Sequence, residues 1–240
     1  MFFSIVIPTY NREKIISRAI NSLLSQTFSD FEIVIVDDGS KDDTERVVDL
    51  YKNPAIKYFK TENYGVAHAR NFGIKQAKGN YVGFLDSDDL LKSDHLQIAY
   101  DFIQLKNSPE VVHLNFLWGM EDRSNSQKNH LPKALPEDIF KNCSLHVNCV
   151  FINAEIARQN LFNESKELMF AEDSDFFIKL AVRFNIHLLD KTSASVVDHE
   201  DRNMRKFRIQ EMGAKLRRDV FKKFSNSNNV IDQYIKETLS

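Results

Sequence analysis

The residues of this 240-residue chain best equipped for chemistry are carboxylates in close succession: Asp37–Asp38, Asp86-Ser-Asp-Asp89 and Glu172–Asp173. Like charges this close repel, so a fold that gathers them must supply hydrogen-bond donors or a cation. A hard divalent ion such as Mn2+ or Mg2+ takes oxygen ligands, commonly one or two carboxylates together with phosphates and water. An Asp-x-Asp segment leaving a strand suits that role, because strand alternation would put Asp86 and Asp88 on one side and Ser87 on the other. Aspartate is also a turn and helix-cap residue. Asp42, Asp43 and Asp94 are read that way, and the Asp86 segment by itself fits either role.

The elements that must position these groups are legible in the first ninety residues. Phe3 to Ile7 is an apolar run ahead of Pro8 and predicts a strand. Ile15, Ile16, Ala19, Ile20, Leu23 and Leu24 recur at helical spacing. The β-branched run from Glu32 to Val36 suits a parallel strand covered on both faces. A helix over 44–51, a strand over 56–59, a helix over 66–77 ended by Gly79, and a strand over 80–85 follow. This alternation predicts an α/β fold with a parallel sheet and right-handed crossovers. Ligands of such sheets bind beyond the carboxyl ends of the strands. Those ends carry Pro8-Thr-Tyr-Asn11, Asp37-Asp-Gly-Ser40, Thr61-Glu-Asn63 and Asp86-Ser-Asp-Asp89. The shared edge favours a functional reading of the Asp86 segment. Farther on, the pattern predicts a helix over 94–105, a strand over 111–117 and a polar loop over 118–136. A helix over 172–184, strands over 186–189 and 193–197, and a terminal helix over 204–224 complete it.

Several segments together resemble glycosyltransferases of family 2. They are Ser4-Ile-Val-Ile-Pro-Thr-Tyr-Asn11, Ser22-Leu-Leu-Ser-Gln-Thr-Phe28 and Glu32-Ile-Val-Ile-Val-Asp-Asp-Gly-Ser40. Asn63-Tyr-Gly-Val-Ala-His-Ala-Arg-Asn-Phe-Gly73, Tyr81-Val-Gly-Phe-Leu-Asp-Ser-Asp-Asp89 and the helix-opening Glu172–Asp173 follow in order. The resemblance covers residues 4–89 closely and a point near 173. It implies a GT-A, Rossmann-like fold: a mostly parallel central sheet flanked by helices, with a C-terminal acceptor-side region and a terminal helix. In domain terms, 1–200 is the transferase domain, with 1–92 the nucleotide-sugar half and 93–200 the acceptor half, and 201–240 is a basic helical extension.

The resemblance further implies an inverting transfer from a nucleotide-diphosphate sugar, a UDP-sugar, to a glycan or lipid-linked glycan hydroxyl. Assembly of a cell-surface polysaccharide is the family-level expectation, with Mn2+ or Mg2+ as cofactor. Pro8, Thr9 and Tyr10 would line the nucleoside site, and Asp38 would accept from the uracil imide. Arg70 would lie near the nucleotide or diphosphate, Asp86 near ribose or sugar. Asp88 would be the metal ligand, with His199 a candidate second one, although the Tyr-Arg-x-His context is missing. Asp173 would be the general base. His68 replaces the small residue usual in its segment and is read as packing or lining the site. His113, His146 and His187 are read as structural or exposed.

Size and composition agree with one globular domain. Cys143 and Cys149 make neither a disulfide framework nor a zinc site, which favours a reducing, cytosolic setting. Residues 1–8 are too short for a signal peptide, and no apolar run reaches the roughly 20 residues of a membrane span. The net charge of −2 hides an asymmetry: between Arg202 and Lys223, nine Lys/Arg meet only Glu211 and Asp219. That segment is either a solvated helix face or a peripheral contact with the inner face of the membrane. No nucleic acid partner is expected.

A nucleotidyltransferase acting on a sugar phosphate would carry a Gly-rich basic loop where Pro8-Thr-Tyr-Asn11 stands. A receiver-type module would be about half as long. An inactive nucleotide-binding relative would not be expected to keep Asp38, Asp88 and Asp173.

Overall fold

The computed structural model describes residues 1–119, 126–135, 138–139, 144–168 and 171–198. The first half alternates as the sequence predicts: β1 (Phe3–Thr9), α1 (Ile16–Leu24), β2 (Phe31–Asp37), α2 (Thr44–Asp49), β3 (Ile56–Lys60), α3 (Val66–Gln76) and β4 (Tyr81–Phe84). These strands pair in parallel, β2 with β1 and β3, and β1 with β4. The second half adds β5 (Leu90–Leu91), α4 (His95–Leu105), β6 (Val111–Gly119) and β7 (Gln127–Lys128), then β8 (Val150–Asn153), α5 (Ala154–Gln159), α6 (Glu172–Arg183) and β9 (Ile186–Val197). The nine strands among the described residues join one sheet in the order β3-β2-β1-β4-β8-β6-β9-β5, with β7 on β6. Beyond β4 the sheet is mixed. β8 runs antiparallel to β4 and β6, β9 is parallel to β6, and β5 is antiparallel to β9.

The strands read as continuous apolar runs because both faces are covered. Val6, Val34, Val36, Val82 and Phe84 pack on one side with Ala69 and Ile74 of α3 and Phe176, Phe177 and Leu180 of α6. Ile5, Ile7, Ile33 and Ile35 pack on the other with Ile16, Ile20 and Leu23 of α1 and Leu96 and Ile103 of α4. A one-residue slip of β1 or β2 would exchange these two sets, so the register is strongly fixed.

Two expectations differ in detail. The strands expected at 186–189 and 193–197 are one strand, β9, whose pairing with β6 shifts register around Asn115. There the Asn115 amide donates to Asp190 Oδ1 at 2.6 Å, so the polar stretch that looked like a break is an irregularity within a strand. The loop expected from 118 begins later, since β6 runs to Gly119 and Leu117 and Trp118 pair with β7. His199, the basic segment 202–223, the expected terminal helix and the 201–240 extension lie outside the described residues. Among the described residues, no helix is long and apolar enough to cross a membrane.

The turn into β4 depends on a close backbone approach. Ser4 Oγ donates to the buried Glu32 carboxylate at 2.7 Å and accepts the Gly79 N–H at 2.8 Å. A Cβ on Gly79 would fall 2.5 Å from the Phe3 carbonyl carbon and 2.6 Å from Ser4 N. Backbone atoms cannot swing aside as a side chain can. Gly79→Ala should therefore destabilise the fold by about 1–3 kcal/mol, the usual cost of overpacking, read as a lower urea midpoint at unchanged m-value.

Candidate active site

The chain leaves β4 at Phe84 and turns at once. Asp89 N–H donates to the Asp86 carbonyl at 3.0 Å, which places Ser87 and Asp88 at the corner of a four-residue turn. Strand alternation, which would set Asp86 and Asp88 on one side, requires extended chain and does not hold in this turn. The ends of the turn are held from another segment. Asn148 Oδ1 accepts the Asp86 N–H at 2.9 Å, and Asn148 Nδ2 donates to Asp89 Oδ2 at 2.7 Å. Asp89 Oδ1 in turn accepts the Val197 N–H at 2.8 Å, tying the turn to the end of β9. Asp88 lies near the surface, 13% exposed, with its carboxylate 3.5 Å from the Arg12 guanidinium.

Arg70, on α3, is the hub. Its guanidinium, 3% exposed, meets Asp86 at 2.9 Å, Glu172 at 3.1 Å and Asp173 at 2.7 Å, and lies 5.3 Å from the centre of the Phe162 ring. Burial disfavours the charge, but three carboxylates outweigh that and keep Arg70 protonated. The two acids of the 172–173 pair differ in access: Glu172 is 11% exposed and Asp173 35%. Although a third of its side chain meets solvent, burial raises Asp173 to about 6; Arg70 opposes the rise, and Glu172 and Asp86 add to it. Asp175 is paired with Lys179 at 2.6 Å on its own helix, in keeping with a structural role.

Asp38 sits where β2 ends. Its Oδ1 accepts the Tyr64 N–H at 2.9 Å and its Oδ2 the Gly65 N–H at 2.8 Å. Gly65 has φ +101°, a value that glycine alone adopts readily, so the carboxylate fixes the entry to α3. Each carboxylate oxygen keeps a second lone pair for a ligand donor. Burial raises the Asp38 pKa, and the two backbone N–H groups oppose the rise. Asp37 is a structural group: it accepts from Ser40 N–H and from the Tyr58 hydroxyl and is fully buried. Pro8 and Thr9 are buried in β1, Thr9 Oγ1 has no hydrogen-bond partner among the described residues, and Tyr10 is exposed. Tyr64, more open still, follows the strand on the other side of β2.

The structure thus brings Asp86, Arg70 and Asp173 into contact and sets Asp88 on the same turn. Asn148, Arg12 and His146 escape the sequence patterns, and Glu172 is singled out there only together with Asp173. His146, read as structural or exposed, offers a ring nitrogen within 4.8 Å of carboxylate oxygens of Asp86 and Asp89. A lone His or Asn in an irregular stretch gives no periodic signal. His68 pairs with Glu164 at 3.0 Å, and Glu164 in turn accepts from Asn71 at 2.7 Å, so His68 ties α3 to the segment ahead of α6.

The donor set suits a hard divalent cation. Arg70 brings one positive charge to three carboxylates, and Asp88 adds a further carboxylate on the same turn. Negative charge remains in excess, and oxygen ligands are the type that Mn2+ and Mg2+ take. The same imbalance sets the cost of losing Arg70. Arg70→Ala leaves these carboxylates facing one another and should cost about 3–5 kcal/mol of stability at pH 7, read by urea unfolding.

The model of "Glycosyl transferase family 2" matches residues 4–162. A glycosyltransferase of Rickettsia felis, described as uncharacterized, is 34% identical over 198 residues, which are 80% of this chain and 32% of that protein. The poly(ribitol-phosphate) beta-N-acetylglucosaminyltransferase TarS of Staphylococcus aureus is 32% identical over 202 residues, 77% of this chain and 33% of TarS. The chain thus spans about a third of the length of these curated relatives. The crystal structure of TarS residues 1–349 with UDP-GlcNAc superposes with a TM-score of 0.73 at 26% identity, covering 98% of this chain and 72% of that one. With the GT-A architecture in common and the family segments in register from β1 to α5, the chain belongs to glycosyltransferase family 2.

Proposed function

We propose that this chain is a transferase domain that moves a sugar, with inversion, from a UDP-sugar to an acceptor hydroxyl in surface-glycan assembly. The observation that carries the reading is Arg70's junction of the Asp86 turn with Glu172–Asp173, at the sheet edge where Asp38 follows its strand. The likeness to TarS, crystallised with UDP-GlcNAc, supports a UDP-sugar donor, and the poly(ribitol-phosphate) in TarS's name supports a polymeric acceptor.

In this reading Tyr10 covers the base, Pro8 and Thr9 line the nucleoside site, and Asp38 accepts from the uracil imide with its second lone pairs. Asp86 contacts the ribose or sugar. Asp88 holds the cation, with Asp86 beside it and His199 as a further candidate ligand. Bound there, Mn2+ or Mg2+ would neutralise charge on the departing diphosphate. Arg70 acts from beneath the ligand-contacting groups by fixing Asp86 and Asp173.

Asp173 accepts the proton of the acceptor hydroxyl as its oxygen bonds to the anomeric carbon and the bond to the UDP oxygen breaks. A free hydroxyl is a poor nucleophile, and general-base assistance of this kind contributes about 10²–10⁴-fold. Asp173 is the more open of the helix-opening acids, which suits access by an acceptor. Only the ionised carboxylate can act as base, and its pKa is raised to about 6. Activity is therefore expected to be full above that pH and to fall as pH drops through it.

Asp173→Asn should bind UDP normally, lose about 10²–10⁴-fold in kcat and lack the acid limb near pH 6 in kcat/KM. Transfer at the normal rate by this variant would assign the base elsewhere. At the donor end, Asp88→Ala should abolish the Mn2+-dependent part of UDP binding, while Asp38→Ala should weaken UDP binding with or without metal. Calorimetric titration checks both, and unchanged affinity in Asp38→Ala would refute the uracil contact.

A further inference from the structure

From the hydrogen bonds of the acidic turn, we infer that Asn148 is a positioning residue that sets the donor-binding geometry of Asp86 and Asp88. The inference rests on the reading of this site as a nucleotide-sugar site. Asn148 is 1% exposed and far from Asp86 in sequence, yet its one carboxamide grips both ends of the turn. Its carbonyl oxygen accepts the Asp86 N–H, and its amide donates to the Asp89 side chain. The turn closes on itself between the same two residues, Asp89 N–H to Asp86 carbonyl. The orientation of the corner residues, Ser87 and Asp88, is thereby fixed from outside the turn. The relay continues through Asp89 to Val197 N–H and so couples the turn to the last residue of β9.

Asp89 has two roles open to it. Its carboxylate lies in the group with Asp86 and His146 that could hold a cation. It is also fully buried, with one oxygen on Asn148 and the other on Val197. The second arrangement is that of a hydrogen-bond link, whose task depends on matched donors and acceptors and not on its charge. This difference makes the two roles separable. In a chain carrying both Asn148→Asp and Asp89→Asn, the new carboxylate still accepts the Asp86 N–H. The new amide donates to it, and its carbonyl oxygen still accepts the Val197 N–H. The relay is rebuilt with the polarity of its central bond reversed and the net charge kept. Either single change breaks it: Asn148→Asp sets two carboxylates face to face, and Asp89→Asn leaves one donor without an acceptor.

The full chain, the two single variants and the exchanged pair would be compared by amide hydrogen exchange, by UDP titration with and without Mn2+, and by donor turnover. Each single variant should speed exchange at the Asp86 or Val197 amide. Each should also lose about 10–100-fold in Mn2+-dependent UDP affinity and turnover, the usual effect of losing a group that orients metal ligands. Metal-free UDP binding, held mainly at the Asp38 end, should fall by less, through the ribose contact of Asp86 alone. The exchanged pair should recover both amide protection and Mn2+-dependent binding. A protected but metal-insensitive exchanged pair would overturn the inference, because Asp89 would then be needed for its charge. Wild-type behaviour in both single variants would overturn it as well. If the unaltered chain bound no UDP, the functional reading would fall, and the exchange rates would still decide the relay.

Discussion

One guanidinium set among three carboxylates governs the arrangement of the site. Arg70 projects from α3, Asp86 follows β4, and Glu172 and Asp173 open α6, so two of its three ion pairs join residues about a hundred positions apart. Withdrawing any of these charges from water is costly, and the cost is recovered only when the partners meet in good geometry. The helices that carry them must therefore seat correctly on the sheet. The apolar packing provides that seat, since Ala69 and Ile74 of α3 and Phe176 and Phe177 of α6 belong to the same buried cluster. Packing brings the helices close, and the charges fix their final alignment.

The mixed half of the sheet serves the same end. Because β8 inserts antiparallel between β4 and β6, the short segment just before it carries Asn148 up to the loop that follows β4. Because β9 runs parallel to β6, it ends at the same edge, where Val197 meets Asp89. A continuous parallel sheet would have needed a long crossover between each of these neighbours. The change of strand direction lets residues from three separate segments meet within hydrogen-bonding distance of one turn.

The parallel half was legible because its signals are local. Runs such as Ile33-Val-Ile-Val36 announce strands buried on both faces, and the polar residues after each strand mark a common edge. The pairing of Arg70 with three acids was not legible, because nothing in a single sequence connects residue 70 to residue 172 except a resemblance. Asn148 and His146 sit in a stretch with no helical or strand period, so their contacts arise wholly from tertiary placement. The Asp86 segment was legible as a candidate but misread in its geometry: a two-residue alternation holds only while the chain stays extended, and here it turns at Ser87. Around residue 190, polar residues suggested two strands because a register irregularity and a strand break look alike in sequence. His199 and the basic segment 202–223 remain outside the described residues.

The two hydrogen bonds that Asp38 accepts from Tyr64 and Gly65 have a consequence for how this scaffold can diversify. The carboxylate expected to read the base is also the anchor of α3, and α3 carries Arg70. Base recognition and the acidic floor are thus mechanically linked through one eleven-residue helix. Exposed side chains such as Tyr10 and Tyr64 can vary with little effect on that link, whereas Asp38 cannot change without loosening the helix that aligns Asp86 and Asp173. Retargeting the nucleotide would have an accessible route through the rim aromatics and a costly one through the anchor. In laboratory evolution, variation should therefore accumulate at the rim long before it reaches the carboxylate beneath.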